Sequence, residues 1–174
     1  MLRAWNRRVR HEHPPCLPGK RAVNLERILK SLKDEEGFRA FLYDDATGLP
    51  IKRGSIVKGN PTIGYGWNVT TSPMSESEAS MVLGNRIVLA AKDAASLVPN
   101  WVTLNETRQD VLIDMAFNLG RNGLFAFKNM LRAVNEGRYD EAADEMMDSA
   151  WFIQVGKRGP LLVDRMRSGS EATT

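Results

Sequence analysis

Cysteine is nearly missing from these 174 residues: Cys16 stands alone, so no intramolecular disulfide can form. Histidine occurs only at His11 and His13. That is too few soft ligands for a structural zinc site, and neither a metal nor a cofactor is expected. Long apolar runs are missing as well. Stretches such as Val111 to Phe117 are interrupted by an acid and fall far short of the about 20 residues that a membrane span requires. The basic first residues are not followed by the apolar block and small-residue cleavage site of a secretory signal, so accumulation in the cytoplasm is expected. There is no internal repeat and no low-complexity tract.

What is present divides unevenly. Residues 1–22 carry Arg3, Arg7, Arg8, Arg10, Lys20 and Arg21 against one acid, Glu12, so a chain of net charge +3 is negative beyond that point. Pro14, Pro15, Pro18 and Gly19 interrupt regular structure there. The segment reads as an appended, partly disordered tail, with a basic arm suited to anionic surfaces such as lipid headgroups, lipopolysaccharide or nucleic acid as the alternative. Residues 23–174 are long enough to bury a core as one folded domain.

Asn24 is a candidate cap for a first helix with Leu25, Ile28, Leu29 and Leu32 at helical spacing, ended by Gly37. From about 38 to 72, aromatic and branched residues alternate with turn formers, which predicts short antiparallel strands. Ser75 and Glu78 form a capping box that opens a long helix over about 75–98. A helical region follows over about 99–170, with segments at 106–119, 125–135, 140–150 and 157–168 punctuated by glycines. The class is α+β: a small β-containing lobe and a mostly helical one, joined by the long helix.

Glycosidic hydrolysis needs one carboxylic acid to protonate the leaving oxygen and one carboxylate on the opposite face of the sugar. Asp34-Glu35-Glu36-Gly37 supplies acids at a helix end, and Asp44-Asp45 supplies them at a strand end. The negative end of the helix dipole disfavours an ionised carboxylate, which suits that group to hold a proton. Partial burial beside Phe38 or Phe41 would act in the same direction, while a solvated strand-end aspartate stays ionised. These patterns leave open which acid of each group acts. Thr62, in Pro61-Thr62-Ile63-Gly64-Tyr65-Gly66, lies nearby in the chain.

Three separated elements resemble the lysozymes of T-even bacteriophages and their relatives in glycoside hydrolase family 24. Glu36-Gly37 looks like the family's Glu-Gly, Tyr43-Asp44-Asp45 like its Tyr-x-Asp, and Thr62-Ile63-Gly64-Tyr65-Gly66 like its Thr-Ile-Gly-x-Gly. The likeness continues through Phe117-Asn118-Leu119-Gly120, Phe127-Lys128-Asn129, Tyr139 to Ala143 and Trp151, covering about residues 25–170. It implies a phage endolysin, a muramidase that cuts between N-acetylmuramic acid and N-acetylglucosamine of peptidoglycan with inversion and so lyses the host cell. In that family pattern Glu36 is the general acid, and Asp45 and Thr62 position the water. Phe117 and Asn118 line the sugar cleft, and Arg158 reaches towards the glutamate, where a cation opposes the effect of the helix end. Peptidoglycan strands are the implied partner, the protein acts as a monomer, and access to the wall follows a breach of the inner membrane by a separate protein.

Two departures stand out. A stretch from about Leu49 to Asn60, bearing Lys52, Arg53 and Lys58, is inserted between Asp45 and Thr62 and is expected to lengthen a β-hairpin. Trp67 replaces a histidine of the family's best-known member. The alternatives are a peptidoglycan-binding protein without hydrolysis, a lytic transglycosylase, and a nucleic-acid-binding protein suggested by the arm.

Overall fold

The computed structural model describes residues 24–171; the basic arm, with Cys16 and both histidines, lies outside them. The protein is α+β, as predicted, and divides into two compact units between Met74 and Ser75.

The first unit opens with α1 (Leu25–Glu36). The Asn24 side chain accepts the Arg27 N–H at 2.9 Å, satisfying one of the donors left free at a helix start. Beyond Gly37 come β1 (Arg39–Asp44), β2 (Pro61–Gly64) and β3 (Trp67–Asn68), an antiparallel sheet in the order β1-β2-β3. Thr62 sits on the central strand, opposite Tyr43 on one side and Asn68 on the other. Two described residues of this unit are buried, and both are polar: Asp44 and Thr62, at 4% and 3% exposure. Their hydrogen bonds therefore organise the unit, because a buried polar group without partners costs free energy.

The predicted longer hairpin is formed by β1 and β2: the inserted stretch is its long loop, whose ends stay paired with Asp44 opposite Pro61, and it adds almost no ladder of its own. β1 ends at Asp44 and β2 begins at Pro61, and the intervening chain makes a single isolated ladder bridge with β1, Tyr43 to Pro50. Pro50, Gly54 and Gly59 are poor ladder residues, and the Asp44 carboxylate takes the N–H groups of Lys58 and Gly59 instead.

The second unit begins with α2 (Glu76–Leu97), whose capping box is complete: Ser75 and Glu78 each bond the other's backbone N–H. A 3-10 turn at Trp101–Thr103 leads into α3 (Glu106–Phe125), α4 (Lys128–Asn135), α5 (Tyr139–Met147), α6 (Ala150–Gln154) and α7 (Arg158–Ser168). The predicted end of the helix near residue 119 proves to be a kink at Gly120, after which helix resumes to Phe125. The five-residue α6 was not predicted; Ser149 caps it locally through the Phe152 N–H.

Leu112, Met115, Leu124, Met130, Met146 and Met166 are fully buried and form the centre of the apolar core. Each such side chain contributes about 1.5–3 kcal/mol relative to exposure. Trp151 joins them and meets Phe127 edge to face at 6.3 Å. Arg108 ties α3 to the end of α7 by donating to the Met166 and Arg167 carbonyls at 2.9 and 3.0 Å while lying over the Tyr139 ring. No helix among the described residues is long and apolar enough to cross a membrane.

Candidate active site

Glu36 is the last residue of α1, and the Gly37 N–H that closes the helix bonds the Lys33 carbonyl at 3.2 Å. Its carboxylate lies over Gly66, in the turn between β2 and β3: a Cβ on that glycine would stand 2.5 Å from Oε2. Glu36 is exposed rather than tucked against the nearby phenylalanines, which corrects the expected burial. Phe41 is 81% exposed. The chain turns at Gly37, and Phe38 faces Tyr65 at 5.4 Å instead.

Asp45 follows β1 directly and is also exposed, but its carboxylate is held on both oxygens. The Asn60 N–H donates to Oδ1 at 2.6 Å and Asn60 Nδ2 donates to Oδ2 at 3.1 Å. These two bonds hold Asp45 below the usual aspartate range; burial and the neighbouring Asp44 charge oppose them, and the Ala46 N–H assists. The Asp45 N–H in turn donates to the Asn60 carbonyl at 3.0 Å.

That carbonyl also accepts the Thr62 hydroxyl, at 3.2 Å. Thr62 spends its proton on Asn60, which leaves its oxygen able to act as an acceptor. The first unit thus holds Glu36 at the far end of β2, and Asp45 and Thr62 around Asn60 at its start.

Asp44, adjacent to Asp45, has a different environment. Its carboxylate accepts from the backbone N–H groups of Lys58 at 2.8 Å, Gly59 at 2.9 Å and Ala46 at 3.1 Å. The Lys58 bond leads in lowering its pKa, burial opposes, and the other bonds add to the lowering. A buried acid with its oxygens so engaged suits structure, whereas exposed Asp45 suits chemistry. Arg39 steadies the turn beyond them, lying over Tyr43 at 4.4 Å and donating to the Gly48 carbonyl at 2.8 Å.

The remaining sequence candidates lie in the second unit. Phe117 and Asn118 are exposed on α3 although Met115 and Ala116 beside them are buried, so Phe117 is not a core aromatic. Arg158 begins α7, and its guanidinium is 3.5 Å from Asp114 Oδ1. Burial pushes the Asp114 carboxyl up, against the pull of Arg158 and Arg165. Trp67 uses its ring N–H on the Ser72 carbonyl at 2.6 Å.

Sequence reasoning missed Asn60 and the three backbone N–H groups gathered by Asp44; the family resemblance had already singled out Asp45 of the two aspartates. The only trace of Asn60 in the chain is an Asn-Pro turn signal before β2. Among the described residues no cluster of His, Cys, Asp and Glu is arranged to hold a metal.

Residues 33–168 match the phage lysozyme family. The chain is 28% identical over 148 residues to the pre-baseplate central spike protein Gp5 of Enterobacteria phage T4, a match covering 75% of this chain and 26% of that protein. It therefore spans about a quarter of the spike protein's length. It is 24% identical over 161 residues to probable T4-type lysozyme 1 of Dictyostelium discoideum, covering 82% of this chain and 95% of the relative. Probable T4-type lysozyme 2 of the same organism is 24% identical over 173 residues, with 82% and 97% covered. The family match runs from within α1 to the last residue of α7 and includes the carboxylates and the threonine just described. The chain belongs to the phage lysozyme family and is a lysozyme-like glycosidase.

Proposed function

We propose that this chain hydrolyses the β-1,4 bond between N-acetylmuramic acid and N-acetylglucosamine of bacterial peptidoglycan, by a single displacement with inversion, as a phage endolysin that lyses its host. The observation that carries the reading is the convergence of Asp45 and Thr62 on one residue, Asn60, with Glu36 at the other end of the same strand.

Glu36 gives its proton to the glycosidic oxygen as the bond to the anomeric carbon breaks. A water on the opposite face donates one hydrogen to the Asp45 carboxylate and the other to the Thr62 oxygen, which leaves a lone pair directed at the anomeric carbon. The water's proton passes to Asp45 as the new bond forms. The donors on Asp45 favour its ionised form, as a base and a partner for developing positive charge require. In the second unit, Phe117 and Asn118 supply sugar contacts and Arg158 supplies a cation.

The chain works as a monomer without cofactor or metal, its basic arm touching anionic surfaces, and it reaches peptidoglycan from the host cytoplasm after the inner membrane is breached. The test is clearing of chloroform-permeabilised Gram-negative cells, with mass spectrometry of the products. Loss of clearing in folded Glu36→Gln, and reducing muramic acid ends from the parent, are expected. Anhydro ends would mean a lytic transglycosylase, and undiminished lysis by Glu36→Gln would refute the assignment.

The likeness to a phage spike protein supports a second reading, in which the same hydrolysis belongs to a virion component. Mass spectrometry of purified particles separates the two, since an endolysin is absent from them.

A further inference from the structure

Asp45 is exposed, and an exposed aspartate at a strand end has several rotamers open to it. A base that must hold one water in line with a breaking bond cannot keep that freedom, because small misplacements are costly in rate. From the Asn60 contacts we infer that Asn60 is a positioning residue for the reaction, fixing Asp45 and Thr62 to each other, and that Asp44 anchors the returning chain that delivers it.

Asn60 makes four hydrogen bonds at this point. Its N–H and side-chain amide donate to the two oxygens of Asp45, at 2.6 and 3.1 Å, and its carbonyl accepts from the Asp45 N–H and the Thr62 hydroxyl, at 3.0 and 3.2 Å. With both carboxylate oxygens engaged, rotation about χ2 breaks at least one bond. The Thr62 rotamer is set by the same residue, so the distance between base and hydroxyl depends on Asn60.

Asn60 lies at the end of a long excursion from β1, so something must hold that end in place. The buried Asp44 carboxylate does so by gathering the N–H groups of Lys58 and Gly59, the two residues before Asn60, together with that of Ala46. Gly59 allows the approach: a Cβ there would collide with Asp45 Oδ1 and come within 2.7 Å of Ala46 Cβ. The inserted stretch is thus a structural part of the base's environment.

This inference rests on the assignment of Asp45 as the base, and the experiment separates the two. In the full chain, Asn60→Ala removes the amide donor while keeping the backbone N–H. Asn60→Asp keeps the shape, removes the donor and sets a like charge against Asp45. Asp44 is the charged group that already faces Asp45 and raises its pKa.

Expected in Asn60→Ala are a fall in kcat of about tenfold with KM little changed, and an acid limb of the rate profile displaced to higher pH. Carbon-13 NMR titration of the Asp45 carboxyl should rise in the order parent, Ala, Asp, a readout that needs no activity. Urea unfolding confirms that the variants compared are folded, a purely structural role for Asn60 being one that lowers stability and leaves the Asp45 titration where it was. If Asp45→Asn abolishes activity while Asn60→Ala leaves kcat, the acid limb and the carboxyl titration unaltered, the positioning role is overturned and the base assignment stands. If Asp45→Asn retains full activity, the base assignment falls and Asn60 loses its role with it.

Discussion

The backbone of Gly66 passes beneath the carboxylate of Glu36 so closely that a Cβ would come to 2.5 Å from Oε2, and its φ is +73°. A side chain there meets two obstacles, the strain of the left-handed region and the displacement of the acid. Gly66→Ala is expected to lower stability by about 1–2 kcal/mol and kcat by about a hundredfold. Urea denaturation and initial rates on purified peptidoglycan measure the two effects separately.

Thr62 is buried, and its hydroxyl is the part that matters. Thr62→Val keeps the shape and removes the donor to Asn60 and the acceptor for water, so kcat should drop about a hundredfold for a stability loss of about 1 kcal/mol. Thr62→Ser keeps the hydroxyl and should retain most of the activity. Equal losses in the two variants would show that volume, not the oxygen, is what the position requires.

The first unit should lose stability on the acid side. Asp44 is held below its ordinary pKa, chiefly by the Lys58 N–H, so its contribution is fully present above the ordinary aspartate value and disappears as pH falls through the lower folded value. Asp44→Asn should flatten that acid limb. Urea midpoints for parent and variant across the acid range, read on a probe in the first unit such as Trp67 fluorescence, measure the difference.

Asp114 in the second unit behaves in the opposite sense. Burial raises its pKa, so its charged form is disfavoured in the fold and the penalty is present at neutral pH. It fades as pH falls from the folded value to the ordinary one. Asp114→Asn is therefore expected to be at least as stable as the parent at neutral pH, with any advantage vanishing in acid. Thermal unfolding at the two pH values is the measurement, and a variant destabilised at neutral pH would mean that the contact with Arg158 outweighs the burial cost.

Leu112 is fully buried on α3, whereas Ile153 on α6 is 81% exposed. Truncation to alanine should cost about 2–5 kcal/mol at Leu112 and within about 0.5 kcal/mol at Ile153. Denaturant titration of both variants checks the placement of the core.

Features encoded by short-range chemistry could be read from the chain alone. The Asn24 cap, the Ser75 and Glu78 capping box and the stop at Gly37 each satisfy backbone groups within a few residues, so their signals are local. Short strands between glycines and prolines were legible for the same reason. The end of the helix near residue 119 was misplaced because a glycine that breaks helical dihedrals for one residue resembles a glycine that ends the helix. The longer hairpin was legible too, but not that the Asp44 carboxylate rather than added ladder holds its loop, because the two leave similar traces in sequence.

Residue type and order determined by themselves the α+β class, the helix caps and the three family-like elements around Glu36, Asp45 and Thr62, since propensity and capping act over neighbours in the chain. Only the folded chain decided which of two adjacent aspartates is buried with three backbone donors and which is left exposed on Asn60. Hydrogen bonds between residues about fifteen positions apart depend on how the chain returns, and neither aspartate carries that information in its own side chain.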